Sequence, residues 1–226
     1  MEFSLRGFIR GFKSGIPIAI GVASYGLVFG ILSRQAGLDL LPSLCMSAFV
    51  FAGASQFVAL DMWVTPLPVV AIIITTFVVN IRHFLMGAVL TGRFKGMTRF
   101  QKYLSLFFLV DETWAYSLSQ WKKGNTNAAL LAGSGFCLFL AWSLSTVLGN
   151  IIGSGPVDPA KWGMDFAFTA IFIFLAVGLW QGRRDILPWL IAAIVAVIVS
   201  KAFPGKWYIL AGSLSGSIAG ALAHDK

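Results

Sequence analysis

The sequence has little charge: only 12% of its 226 residues are Asp, Glu, Lys or Arg, whereas 58% are hydrophobic. Such a chain has too few polar side chains to cover the surface of a water-soluble domain. Apolar runs that approach 20 residues recur along it, and each is about long enough to cross a bilayer. We therefore predict an all-α, polytopic membrane helical bundle, a single transmembrane domain over residues 1–226 that is embedded in a lipid bilayer.

Cysteine and histidine are also scarce, with two residues of each type. Cys45 and Cys137 both fall inside apolar runs, so they indicate neither a disulfide framework nor a metal site. The sequence has no HExxH motif, no nucleophile elbow and no nucleotide-binding P-loop. We expect no cofactor, no metal and no enzymatic activity.

Acidic residues are outnumbered by basic ones, nine to 17. The basic residues cluster in short loops and near the N-terminus, the pattern of cytoplasmic flanks in membrane proteins. The clusters are Arg6, Arg10 and Lys13; Arg93, Lys95, Arg99 and Lys102; and Arg183 and Arg184. Because no folded basic domain accompanies them, we exclude nucleic acid as a partner. We expect a multi-pass protein of the bacterial cytoplasmic (inner) membrane with a cytoplasmic N-terminus.

Eight apolar segments are separated by loops that carry glycine, proline and charge. They cover residues 15–32, 44–60, 67–90, 104–118, 128–148, 166–180, 186–201 and 208–222. If all eight crossed the membrane, the basic loop 92–102 would lie outside the cell, against the charge rule. We therefore predict about six full spans plus two re-entrant or broken segments, the second and the sixth. This topology places Gly96 and Gly124 on opposite faces.

A weak repeat relates residues 14–90 to residues 128–201. A Gly-Xaa-Asp sequence precedes segments two and six, and a Leu-Pro pair opens segments three and seven. With segments two and six re-entrant, the two halves would be inverted relative to each other, as in many secondary transporters. Chance matching between apolar segments is the alternative.

The second segment contains FAGASQF at residues 51–57. Gly53 and Ser55 lower helix stability in the middle of a span, and Gln56 needs hydrogen-bond partners there. A broken helix would leave backbone amides free to bind an anionic group. Alternatively, the small residues form a face for close packing and Gln56 bonds a neighbouring helix.

The third segment carries Asn80, Arg82 and His83 in an otherwise apolar run. An arginine at membrane depth is costly, so it normally faces a bundle interior or an aqueous cavity. Arg82 could bind a substrate carboxylate, with Asn80 adding amide hydrogen bonds and His83 carrying a proton. In the alternative, Arg82 extends from the cytoplasmic end of the span to the headgroups.

The fourth segment carries Asp111 and Glu112 side by side. Two carboxyl groups at membrane depth must be paired, protonated or hydrated. One could balance Arg82 while the other binds a substrate ammonium group or carries a coupled proton. A purely structural ion pair with Arg82 or a loop lysine is the alternative.

Glycines at four-residue spacing predict close helix packing. They are Gly212, Gly216 and Gly220 in the last segment and Gly26 and Gly30 in the first. The partner of the last segment could be internal or could belong to another protein.

These motifs resemble the AzlC family of bacterial permeases associated with export of branched-chain amino acids. The resemblance rests on GIP at 15–17, FAGASQF at 51–57, NIRH at 80–83, Asp111-Glu112 and GMDF at 163–166. It implies efflux of valine, leucine, isoleucine or methionine together with a small membrane subunit of the AzlD type.

The prediction is a secondary transporter, driven by the proton gradient, whose substrate site includes Arg82, Asn80, Gly53, Ser55 and Gln56. Asp111, Glu112 and His83 would bind the ammonium group or couple the proton. The alternatives are a membrane-embedded enzyme and a structural assembly subunit without transport activity of its own.

Overall fold

A computed structural model describes residues 2–155, 173, 177, 180, 182–203 and 207–224. Nine α-helices are found in this part of the chain, which confirms the all-α prediction. They are α1 (Leu5–Gln35), α2 (Leu40–Val50), α3 (Gly53–Asp61), α4 (Val69–Leu90), α5 (Arg99–Phe107), α6 (Asp111–Lys122), α7 (Ala129–Gly153), α8 (Ile186–Ala202) and α9 (Trp207–His224). Short 3-10 turns follow α4 and precede α8. The predicted sixth segment lies outside the described residues, apart from residues 173, 177 and 180.

Four helical stretches in the described residues are long and apolar enough to cross a membrane. They are Leu5–Gln35, Val69–Phe94, Ala129–Gly153 and Arg183–Ala202. The first three correspond to α1, α4 and α7, and each of these helices contributes residues to the candidate site described below. Many of their large apolar side chains are exposed, as expected where helices face lipid.

The helices α1 and α7 lie side by side and run in the same direction. At one end, the backbone N–H of Glu2 donates to the carbonyl of Thr126 over 3.1 Å. At the other end, a Cβ atom placed on Gly153 would lie 2.9 Å from the carbonyl oxygen of Ile31. The first end carries most of the basic residues of the described chain, among them Arg6, Arg10, Arg93, Lys95, Arg99 and Lys122, and is called the basic end. The end where α1 and α7 finish is called the opposite end.

A re-entrant hairpin enters from the opposite end. Its first arm, α2, starts beside the end of α7, where the Asn150 side chain donates to the carbonyl of Leu38 over 3.1 Å. Further along α2, Ser47 Oγ lies 2.9 Å from Oγ1 of Thr146, which is one turn before Asn150 in α7. The chain then breaks at Phe51, which has a left-handed φ of 43°, and α3 begins at Gly53. This break in segment two confirms the prediction.

The second arm, α3, returns to the opposite end. This follows from α4, the next helix, which starts at the opposite end and crosses to the basic end. With 22 residues, α4 is about 33 Å long and crosses the whole bundle. It ends at the basic end, where Leu90 packs in one cluster with Trp121 and Ala128. Chain direction therefore reverses between α2 and α3, and this pair is named hairpin A.

A second re-entrant hairpin, named hairpin B, enters from the basic end and consists of α5 and α6. Arg93, just before α5, lies 5.9 Å from the centroid of the Trp121 ring near the end of α6. At nine and 12 residues, α5 and α6 are about 14 and 18 Å long, too short to cross alone. Segment 104–118, predicted as a full crossing, is instead re-entrant.

Two carboxylates stabilise the start of α6, directly after the break in hairpin B. Asp111 and Glu112 form the first turn of α6, where free backbone N–H groups and the helix dipole stabilise carboxylates. Because hairpin B enters and leaves at the basic end, the loops that contain Gly96 and Gly124 both lie there. This contradicts the predicted topology, which placed them on opposite faces.

Residues 5–61 and 69–122 show an inverted relation that the sequence did not indicate. Residues 5–61 consist of a spanning helix and a hairpin from the opposite end. Residues 69–122 consist of a spanning helix in the other direction and a hairpin from the basic end. Most of residues 156–181, which belong to the predicted half 128–201, lie outside the described residues, so the repeat of 14–90 in 128–201 stays a prediction. The helices that open these two halves, α1 and α7, run parallel. Hydrophobic pattern alone did not indicate which of the helices lie side by side.

Candidate functional site

The tips of hairpins A and B meet inside the bundle. The rings of Phe51 and Phe108, one from each tip, have centroids 6.4 Å apart. Beside them lies a cavity of about 80 Å³, enough for several water molecules. Its lining residues are Val22, Tyr25, Phe51, Ala52, Gly53, Ala54, Phe57, Arg82, His83, Val110, Asp111, Glu112, Leu138 and Trp142. Five of the eight residues predicted for the substrate and proton sites line it: Gly53, Arg82, His83, Asp111 and Glu112.

The cation and one anion of this cavity form an ion pair. Arg82 Nη1 lies 2.7 Å from Asp111 Oδ2, and the two side chains are 28% and 32% exposed. Arg82 therefore points into the bundle and does not extend to the headgroups. Its Nε atom is buried and has no hydrogen-bond partner among the described residues. A guanidinium group with an unused donor beside a cavity is suited to bind a carboxylate.

Glu112 is the second carboxylate of the cavity, and its surroundings differ from those of Asp111. It follows Asp111 in the first turn of α6 and is half-buried. No Lys, Arg or His of the described chain forms an ion pair with it. A carboxylate that forms no ion pair at this depth is suited to hold a proton or a cationic group.

The start of α3 supplies backbone donors. A helix leaves its first N–H groups without intrahelical partners, and its N-terminus carries partial positive charge. Gly53 and Ala54 open α3 and both line the cavity. Anions bind readily at such a terminus.

The break in hairpin A is held by three predicted site residues. The Ala52 N–H donates to Gln56 Oε1 over 3.2 Å. The Ser55 hydroxyl donates to the carbonyl of Ala52 over 2.9 Å, and Asn80 Nδ2 donates to Ser55 Oγ over 3.1 Å. Ser55, Gln56 and Asn80 are absent from the cavity lining and position the start of α3 instead. The Asn80 Oδ1 atom is buried and has no partner among the described residues.

His83 lies one residue after Arg82 on α4 and lines the cavity. Its Nδ1 atom is 3.2 Å from the carbonyl oxygen of Asn80, a contact within the helix. Within the described ranges, no three His, Cys, Asp or Glu side chains are grouped as metal ligands.

The cavity has a polar side and an apolar side. Arg82, His83, Asp111 and Glu112 come from α4 and α6. The facing side is formed by α1 and α7, which contribute Val22, Leu138 and Trp142, with Tyr25 as a polar exception. An amphipathic molecule with a charged part and an aliphatic part matches this division.

Two residues that sequence reasoning missed connect this apolar side to hairpin A. Trp142 Nε1 donates to Ser47 Oγ over 3.1 Å, and Gln56 Nε2 donates to the same oxygen over 3.2 Å. Ser47 is fully buried. The available signal was a serine and a tryptophan within otherwise apolar segments.

The predicted packing glycines lie in two helix pairs. Cβ atoms placed on Gly26 and Gly30 would lie 3.0 Å from the Trp142 carbonyl oxygen and 2.7 Å from the Asn150 nitrogen, both in α7. In the second pair, α8 and α9, Cβ atoms on Gly212 and Gly216 would approach Ala192 to 3.0 and 2.8 Å. Gly220 has more space, because a Cβ atom placed on it would lie 3.9 Å from the Pro188 side chain. The glycine face of α9 therefore has a partner within the chain.

Sequence comparison places this architecture in a known family. The sequence model of "AzlC protein" matches residues 17–155, a stretch that includes both hairpins and the cavity. The chain belongs to the AzlC family. No solved structure matches it.

Relatives of this AzlC-family chain occur in diverse bacteria. The Bacillus subtilis "Branched-chain amino acid transport protein AzlC" is 25% identical over 92% of this chain and 82% of its own length. The Escherichia coli "Inner membrane protein YgaZ" is 28% identical over 93% and 88%. An "Uncharacterized membrane protein" of Helicobacter pylori is 28% identical over 91% and 92%.

Proposed function

We propose that this chain is a secondary transporter that exports branched-chain amino acids, and methionine as a further substrate, in exchange for protons. It works together with a small AzlD-type membrane subunit. The observation that carries the proposal is the divided cavity between the tips of hairpins A and B. One side offers Arg82, Asp111 and Glu112, and the other offers aliphatic and aromatic carbon.

A zwitterionic amino acid fits this cavity by charge. Its carboxylate binds Arg82 and the free amides at Gly53 and Ala54. Its ammonium group binds Asp111, which the substrate separates from Arg82. The Arg82–Asp111 ion pair thus stands in for the two charges of the substrate, so that neither residue is left unpaired when the substrate leaves.

Glu112 carries the coupled proton. It forms no ion pair in the described chain and lies beside Asp111, so protonation lowers the negative charge that surrounds the ammonium group. This assignment gives the two adjacent carboxylates different functions.

The orientation that export requires follows from charge. The basic end carries the start of α1 and the loops around Arg93 and Lys122, and basic loops remain in the cytoplasm. Hairpin B then opens from the cytoplasm, and hairpin A opens from the outside. Two hairpins from opposite sides that meet at one site are suited to alternating access.

The test is leucine flux in proteoliposomes. Protein reconstituted with and without a co-expressed AzlD-type subunit is loaded with labelled leucine, and a proton gradient of either sign is imposed. We expect efflux that depends on the gradient and rises with the subunit present. Absence of gradient-dependent flux in both preparations would overturn the proposal, and a chemically altered leucine product would favour the enzyme alternative.

A further inference from the structure

We infer that Trp142 sets the size limit for the substrate's side chain, and that the Ser47 hydroxyl holds the indole ring in the position that does so. The inference rests on the proposed function and adds a selectivity element that the charged residues of the cavity do not supply.

Trp142 lies next to the point where the substrate's carboxylate would bind. A Cβ atom placed on Gly53, the first residue of α3, would lie 3.0 Å from Cη2 of the indole. A substrate that binds the free amides of α3 therefore has its α-carbon beside this ring. Its side chain must extend along the ring toward Leu138 and Val22, which line the same cavity.

The ring has little freedom to move. It stacks on Phe29 with centroids 5.8 Å apart and meets Phe57 edge to face at 6.2 Å. Trp142 is 6% exposed, and Phe29 is fully buried behind it. Because close-packed aromatic rings resist displacement, the indole forms a fixed end to the space that an aliphatic side chain can fill.

Ser47 fixes the rotation of the indole through a single hydrogen bond. A hydroxyl group has one donor and two acceptor positions. Ser47 Oγ accepts from Gln56 Nε2 and Trp142 Nε1, so its hydrogen must point to Thr146 Oγ1 at 2.9 Å. All three positions are used, and none can be given up without leaving a buried polar group unpaired. Ser47 is therefore a positioning residue that links the break in hairpin A to the wall formed by α7.

The experiment measures selectivity rather than rate. Counterflow of labelled leucine is competed with unlabelled leucine and phenylalanine, and the ratio of the two half-inhibitory concentrations is compared between variants. The variants are Trp142→Leu, Trp142→Phe and Ser47→Ala. The controls are Leu144→Ala and Leu148→Ala, which change exposed side chains of α7.

We expect Trp142→Leu to shift the ratio toward phenylalanine by about tenfold or more, since even one methylene group in an apolar pocket is worth roughly 10- to 200-fold. Trp142→Phe and Ser47→Ala should shift it in the same direction by less, and both controls should leave it unchanged. Leucine counterflow with an unchanged ratio in Trp142→Leu and Trp142→Phe would overturn the inference alone. Absence of leucine counterflow in the unaltered protein would overturn the proposed function as well.

Discussion

Hairpins A and B meet at their tips but hold those tips in different ways. The tip of hairpin A is neutral, and hydrogen bonds join it to α4 and α7 through Asn80, Ser47 and Trp142. The tip of hairpin B carries Asp111 and Glu112, and its main external polar contact is the Arg82–Asp111 ion pair. One hairpin is therefore fixed by interactions that do not titrate, while the other depends on charge.

The buried serine hydroxyl groups of the two hairpins also differ in whether they have hydrogen-bond partners. In hairpin A, Ser43, Ser47 and Ser55 all have hydrogen-bond partners. In hairpin B, Ser105 and Ser117 are fully buried and have no partner within the described residues. Since a buried unpaired hydroxyl is unfavourable, hairpin B is less well adapted to this conformation than hairpin A. This suits a hairpin that changes position when its charges change.

Breaking the ion pair should have the largest effect. We expect Arg82→Ala and Asp111→Asn each to abolish leucine counterflow and to lower the free energy of unfolding by about 2 kcal/mol. This is less than the 3–5 kcal/mol for a fully buried pair, because both side chains are partly exposed. Thermal unfolding in detergent and counterflow are the measurements. The double variant should recover part of the stability but no transport, and normal counterflow in both single variants would refute the site.

Glu112→Gln should have a narrower effect. The amide can still occupy the cavity but cannot carry a proton, so leucine counterflow should persist while efflux driven by the proton gradient is lost. Counterflow in this variant should also depend less on pH. Glu2→Gln, a change at the exposed basic end, is the matched control. Gradient-driven efflux at the unaltered rate in Glu112→Gln would remove the proton-carrying role.

A serine-to-alanine substitution in each hairpin should have the smallest effect, and it compares the two hairpins directly. Ser55→Ala removes two hydrogen bonds and leaves the Asn80 amide without its acceptor, which should cost about 1–3 kcal/mol of unfolding free energy. Ser117→Ala removes a buried hydroxyl without a partner in the described residues, so it should leave the free energy of unfolding unchanged or raise it. Equal losses in the two variants would contradict the difference between the hairpins.

Several residues that line the candidate site stand out in the sequence because they are costly in hydrocarbon. Arg82, Asp111 and Glu112 interrupt apolar runs, and Gly53 weakens a helix at membrane depth. Each stands out in the sequence without knowledge of its neighbours.

The break in hairpin B and the pairing of α1 with α7 could not be found in this way. Phe108, Leu109 and Val110 are as apolar as any helical segment, and no glycine or proline marks the reversal. Thr113, which accepts from the Val110 N–H over 2.9 Å and donates to the Phe108 carbonyl over 3.0 Å, was a weak signal for a new helix start. Ser47 and Trp142 lie 95 residues apart, and only the packed fold brings them together.

The close contact between α1 and α7 limits where the protein can deform. A Cβ atom on Gly30 would lie 2.9 Å from the Cα of Gly149, so no layer of side chains separates the two backbones there. Sliding one helix past the other would bring larger residues into spaces that admit only hydrogen atoms. The pair therefore acts as a single rigid frame. Any rearrangement that exposes the cavity first to one side of the membrane and then to the other must leave this pair intact and occur in the elements around it, among them α4 and the two hairpins.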